Sequence, residues 1–166
     1  MANQVNPSAN QYGQAGQVLK SIGFELDHLG VAVKSLDEGV KFYRALGFHE
    51  MPIEEVPTEQ VRVGFLNLDN HASIELLEPT SDESPIAKFI AKRGPGIHHV
   101  CLRVKGIDQA VAQLKTAGVR LINETPRPGA HGCRVVFVHP ASTGGVLLEL
   151  SEPGLHSSHS HGAEGR

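Results

Sequence analysis

Alternating and 3.6-spaced apolar positions divide the middle of the chain into short elements. His28-Leu-Gly-Val-Ala-Val33 alternates large apolar with small residues and is rich in β-branched side chains, which predicts a strand. Ser35 then stands three residues before Glu38, the capping-box spacing that opens a helix. Leu36, Val40, Tyr43 and Leu46 recur on one face of that helix, and Gly47 is placed to close it in the left-handed conformation. Shorter strand-like runs follow at 61–67 and 73–78. The order then recurs. A strand is predicted at 99–104, then a helix with Ile107, Val111 and Leu114 inward and Gly118 as its stop. Strand-like runs at 119–122, 134–138 and 146–151 complete the second half. Each half reads β-α-β-β-β, and residues 84–93 between them predict a short amphipathic helix opened by Pro85.

The recurrence extends to individual residues. With His28 placed over His99, an offset of 71, Val31 meets Leu102, Val33 meets Val104, Asp37 meets Asp108 and Gly47 meets Gly118. After a three-residue insertion, Ser-Ile-Glu-Leu-Leu-Glu-Pro (73–79) lies over Leu-Leu-Glu-Leu-Ser-Glu-Pro (147–153), so Glu75 meets Glu149 and Glu78 meets Glu152. The two halves are versions of one unit. We read one α+β domain at 24–153: module one at 25–80, the linker helix at 84–93 and module two at 96–153. Residues 1–23 carry one charge, Lys20, and 154–166 are rich in Ser, His and Gly, so both ends are read as disordered tails. Residues 1–23 lack the basic and apolar regions of a secretory signal and the arginines of a mitochondrial presequence.

Composition narrows the function classes. Fifteen Lys+Arg against 18 Asp+Glu, a net charge of −3, argue against a nucleic-acid or anionic-membrane surface. No apolar run approaches the roughly 20 residues of a spanning helix. Two cysteines, Cys101 and Cys133, are too few for a disulfide scaffold and point to a reducing compartment. That compartment is the cytoplasm, or the mitochondrial matrix if the source is eukaryotic. The unusual count is ten histidines with no tryptophan. A lone strand histidine is commonly structural, and His156, His159 and His161 belong to a polar tail. His28 and His99, however, open equivalent first strands, and Glu75 and Glu149 sit on equivalent last strands. A pseudo-twofold axis brings all four together. Two imidazoles and two carboxylates suit a divalent metal with positions left for water or substrate. A glutamate facing inward from Val-Leu-Leu-Glu-Leu is costly unless it is paired or bound to a cation.

Paired β-α-β-β-β units carrying His…Glu…His…Glu resemble the vicinal oxygen chelate superfamily, which includes glyoxalase I. Longer stretches narrow the resemblance: Asp27-His-Leu-Gly-Val-Ala-Val33, Ile74-Glu-Leu-Leu-Glu-Pro79, Ser84-Pro-Ile-Ala-Lys-Phe89, Gly96-Ile-His-His-Val100, Arg127-Pro-Gly-Ala-His-Gly132, and His139-Pro140 leading into Gly144-Gly-Val-Leu-Leu-Glu149. Along most of 25–153 these resemble the methylmalonyl-CoA epimerases. The resemblance implies a cupped, barrel-like mixed sheet around a metal site. It assigns the metal, cobalt or another divalent ion, to His28, Glu75, His99 and Glu149. It also implies epimerisation of methylmalonyl-CoA by C2 proton abstraction through a metal-chelated enolate, with Glu149 as one acid/base group, and a homodimer. His98 is then expected on the opposite face of its strand from His99. The family's second glutamate lies on the strand corresponding to Val61-Arg-Val-Gly-Phe65, which has no acid. Glu54, Glu55 and Glu59 nearby are read as solvated loop residues. Arg127, Gly129 and His131 form either an ordinary surface turn or a loop meeting the acyl-CoA. A lactoylglutathione lyase of the glyoxalase I kind and a non-catalytic small-molecule binder of the same fold are the alternatives.

Overall fold

A computed structural model describes residues 22–154. The tails read at 1–23 and 154–166 fall outside the described residues apart from Ile22, Gly23 and Gly154. Ile22 is buried among the apolar side chains of the second half, so the packed domain begins before residue 24.

The elements run β1 (Phe24–Ala32), α1 (Leu36–Ala45), β2 (Ile53–Val56), β3 (Val61–Asn67), β4 (Ser73–Pro79), α2 (Pro85–Arg93), β5 (Gly96–Val104), α3 (Ile107–Thr116), β6 (Arg127–Pro128), β7 (Arg134–Val138) and β8 (Leu148–Glu152). They form one eight-stranded sheet in the order β2-β3-β4-β1-β5-β8-β7-β6. This order reads the same from either end once module one is exchanged for module two. The pseudo-twofold axis therefore passes between β1 and β5, which run antiparallel, while each pairs in parallel with the last strand of its own module. β2, at Ile53–Val56, is a strand that the hydrophobic pattern did not mark. The predicted run at 119–122 makes only a bridge from Leu121 to Val138, and the outer strand of that half is Arg127–Pro128.

Alternation along each strand sorts side chains between two faces. Val136, Val138 and Leu150 pack with Ile107, Ala110, Val111 and Leu114 of α3. Leu66 and Leu76 pack with Leu36 and Val40 of α1. The intervening residues, among them Val61, Val63, Leu77, Val135 and Phe137, line a cavity on the sheet's other face. The sheet curls until its two edges meet. His131 Nδ1 lies 2.9 Å from Glu54 Oε2 on β2, and Arg127 Nη2 donates to Glu59 Oε2 at 3.2 Å. The two outer strands of the sheet thus face each other within one chain. Among the described residues, no helix is long and apolar enough to cross a membrane.

Candidate metal centre and cavity

The four ligand candidates occupy adjacent strands at the sheet's centre. In the β1–β5 pairing, His28 lies opposite Cys101 and His99 opposite Gly30. Gly30 in turn pairs with Glu75 on β4, and Cys101 with Glu149 on β8. His28, His99 and Glu149 are each 6% exposed and Glu75 8%, so all four are removed from bulk water.

Three of them converge on one point. The Nε2 atoms of His28 and His99 lie 3.0 Å apart, and Glu149 Oε2 is 3.1 Å from His99 Nε2 and 3.9 Å from His28 Nε2. Donors bound about 2.1 Å from one ion at 90–109° stand about 3.0–3.4 Å from each other. Two of the three separations fall in this range and the third is wider, at 3.9 Å. Two imidazole nitrogens facing at 3.0 Å repel unless a proton or a cation lies between them. The donor set therefore fits a divalent ion, and His28, His99 and Glu149 are the residues grouped to hold one. Glu75 stands beside this group, with Oε1 3.3 Å from Nδ1 of His28, the ring's other nitrogen.

Electrostatics point the same way. Burial pushes Glu75 up to about 7, with the Glu149 charge adding to this and His28 opposing it. Burial works against protonation of His28, yet Asp27, Glu75 and Glu149 together raise its affinity for a proton. Asp27 is also buried, but hydrogen bonds from His28 and Arg103 hold it down at about 2. A cluster with this much buried negative charge gathers protons when no metal is present and releases them to a cation. His98 departs from expectation. Its Nδ1 lies 2.9 Å from Nδ1 of His99 and it lines the cavity, rather than pointing to the strand's far side. Burial and the neighbouring His99 hold it down at about 4.

The cavity over this cluster has an internal volume of about 120 Å³. Val56, Val61, Val63, Leu77 and Ile86 supply its apolar wall. Glu59 also lines it, at the end of a single 3₁₀ turn, Pro57–Glu59. Burial raises its carboxyl, the Glu149 charge adds to that, and Arg127 opposes. Sequence reasoning placed Glu59 in solvent because it falls on a predicted loop. The only local signal was its position two residues before β3. Arg127 does not line the cavity: it pairs with Glu59, Nε to Oε1 at 3.1 Å, and lies over the Phe137 ring at 5.4 Å. His131 does line it, with its ring 4.1 Å from that of Phe65. Cys101 is fully buried, and its thiol is pushed far up by that burial.

Residues 27–137 match the Glyoxalase/Bleomycin resistance protein/Dioxygenase superfamily. A mitochondrial methylmalonyl-CoA epimerase of Dictyostelium discoideum is 41% identical over 143 residues, covering 82% of this chain and 84% of that protein. The ethylmalonyl-CoA/methylmalonyl-CoA epimerase of Cereibacter sphaeroides is 40% identical over 130 residues, 76% of this chain and 96% of that one. A solved structure of a Streptomyces coelicolor methylmalonyl-CoA epimerase variant, in complex with 2-nitronate-propionyl-CoA, superposes with a TM-score of 0.72. It is 35% identical and covers 79% of this chain and 95% of that one. The two-module fold, the donor cluster and these likenesses together place the chain in the Glyoxalase/Bleomycin resistance protein/Dioxygenase superfamily and, within it, in the methylmalonyl-CoA epimerase family.

Proposed function

We propose that this protein interconverts (R)- and (S)-methylmalonyl-CoA by moving the C2 proton, using a divalent ion held by His28, Glu75, His99 and Glu149. The observation that carries the reading is a pair of carboxylates on one apolar cavity: the buried Glu149 in the donor cluster and the half-buried Glu59 on the opposite module. Inversion at a carbon needs a proton removed from one face and returned to the other, which is work for two acid/base groups. The relatives named above, and the acyl-CoA analogue bound by the Streptomyces coelicolor protein, supply the substrate class.

The bound ion, with cobalt as the expectation, would act as a Lewis acid on the carbonyl oxygens that flank C2. Glu149 takes the proton on one face of C2. Glu59 carries the proton on the other face, and its partial burial raises its affinity for one. Arg127 positions Glu59 through the ion pair and touches no substrate in this reading. The valines and leucine of the wall keep bulk water from the acidic carbon.

Proton NMR of methylmalonyl-CoA in D₂O, beside a stereospecific assay of epimerisation, tests this. The wild type is expected to exchange C2 in both epimers. Glu59→Gln is expected to lose at least about 100-fold in epimerisation, the lower end of a general-base contribution, while one epimer still exchanges at Glu149. Wild-type epimerisation by Glu59→Gln overturns its role. Turnover of a glutathione hemithioacetal with no C2 exchange in methylmalonyl-CoA overturns the reaction itself.

A further inference from the structure

We propose that Asp27 and His98 are matched positioning residues that fix which ring nitrogen His28 and His99 present to a metal ion. The inference rests on the reading of those histidines as metal ligands. In the repeat, Asp27 lies over His98, each immediately before a site histidine. Strict alternation would send both side chains to the far side of the sheet. The β1–β5 register shows why it does not. Between Leu26 and His28 the partner moves only from Leu102 to Cys101, so Asp27 is an extra residue on β1. Between Gly30 and Val31 the partner jumps from His99 to Ile97, so His98 is an extra residue on β5. Each is a bulge, placed symmetrically about the axis, and a bulge re-aims the side chain it carries.

Both re-aimed side chains reach the same atom of their histidine. Asp27 Oδ1 is 3.0 Å from His28 Nδ1, and His98 Nδ1 is 2.9 Å from His99 Nδ1. An ionised carboxylate only accepts, and Asp27 is the nearer of the two carboxylates at His28 Nδ1, with Glu75 Oε1 at 3.3 Å. His28 therefore carries its proton on Nδ1 and leaves the Nε2 lone pair free. His98 does the same for His99 by accepting at Nδ1 while its own proton sits on Nε2. The freed Nε2 atoms are the two that face each other at 3.0 Å. Each partner is itself held. Asp27 Oδ2 accepts from Arg103 Nε at 2.7 Å and Ser151 Oγ at 3.0 Å, and the His98 ring stands edge-on to Phe89 of α2 at 5.0 Å. The two modules thus use unlike residues, a carboxylate and an imidazole, for one task.

The test uses the full chain with His156, His159 and His161 replaced by alanine, which silences the tail. Long-range ¹H–¹⁵N spectra of the ion-free protein at alkaline pH read the tautomers, and chelator competition with Co²⁺ reads affinity. His28 and His99 are each expected to carry a proton on Nδ1, with one further proton held between their Nε2 atoms in the absence of the ion. Asp27→Ala is expected to disturb only His28, and His98→Ala only His99. Each should weaken Co²⁺ binding by about 10–100-fold, the usual cost of removing a ligand's hydrogen-bond partner. Asp27→Asn keeps an accepting oxygen and the residue's shape, so it should recover most of that loss. A parent with Nδ1 unprotonated in either ring, alanine variants with parental affinity, or a folded Asp27→Asn as weak as Asp27→Ala would each overturn the proposal. Failure of the parent to bind Co²⁺ overturns the ligand assignment alone, because the spectra still decide the tautomers.

Discussion

Single residues at this site are constrained by neighbours far away in sequence. Gly30 is the clearest case. A Cβ built there would lie 2.2 Å from Cε1 of His99, so the imidazole occupies the space a side chain would need. Its repeat partner Cys101 lies opposite His28 in the same way, so each histidine faces a small residue across the β1–β5 pair. Gly30→Ala is expected to displace the His99 ring and destabilise the fold by about 1–3 kcal/mol, the usual cost of overpacking. It should also weaken Co²⁺ binding at least tenfold while leaving His28 in place. Thermal unfolding and a Co²⁺ titration check this, and parental values in both would refute it. The strand pattern marked Gly30 only as one small residue among several, because the side chain that demands it is 69 positions away.

Helix starts show how the modules reuse one device. Glu78 Oε2 accepts from the Leu36 N–H at 2.7 Å, and Glu152 Oε1 accepts from Gly106 and Ile107 at 2.7 and 3.2 Å. Each glutamate also takes a hydrogen bond from an arginine on the neighbouring strand: Arg62 at 3.0 Å and Arg134 at 3.1 Å. The last strand of each module therefore satisfies the open N–H groups of that module's helix and places negative charge at its positive end. The capping box expected at Ser35 is present in one direction, Ser35 Oγ accepting from the Glu38 N–H at 3.3 Å, while the Glu38 carboxylate pairs with Lys41. α3 begins at Gly106 with no side-chain cap of its own. Glu152→Ala should therefore cost about 1–2 kcal/mol, at the upper end of capping losses. Ser35→Ala should cost less, because Glu78 still serves α1. Denaturant unfolding of the two variants gives the comparison, and equal losses would remove the asymmetry. The repeat showed that Glu78 and Glu152 are equivalent, but nothing local tied them to helices about 40 residues away.

At the scale of the whole molecule, the curled sheet joins the two modules through one buried charge cluster. This makes stability depend on pH and on the ion together. Without an ion, Glu75 stands near 7 against an ordinary 4.5, and His28 is raised above 6.5. Both groups bind protons more tightly in the folded chain than in the unfolded one. Their contribution is therefore present at low pH and is lost as pH rises through the folded values. Asp27, near 2, acts in the opposite sense but only at much lower pH. His98, held near 4 against an ordinary 6.5, acts in the opposite sense from about pH 4 to pH 6.5 and offsets Glu75 there. The Tm of the ion-free protein is thus expected to fall mainly between about pH 6.5 and pH 8. A bound divalent ion takes the protons' place, so the loaded protein should hold its Tm over the same range and its affinity should rise with pH. Calorimetry with and without Co²⁺ checks both curves. An ion-free Tm that stays level would contradict the buried-acid reading.

The repeat and the meeting of its paired histidines and glutamates were legible in the chain alone. An offset that keeps His over His and Glu over Glu implies strands related by an axis, and two inward-facing glutamates in apolar strands imply a counter-charge. These inferences need only local periodicity and the cost of burying charge. The remaining features depend on contacts between distant segments. The bulges at Asp27 and His98 exist because β1 and β5 slip against each other by one residue at two points, which neither strand's own pattern records. Glu59 reaches the cavity because the sheet curls until module two's arginine meets it. Propensity and alternation describe a strand with respect to its neighbours along the chain. Register slips and edge-to-edge closure are set by which strands lie beside each other, and that is settled only when the two modules pack.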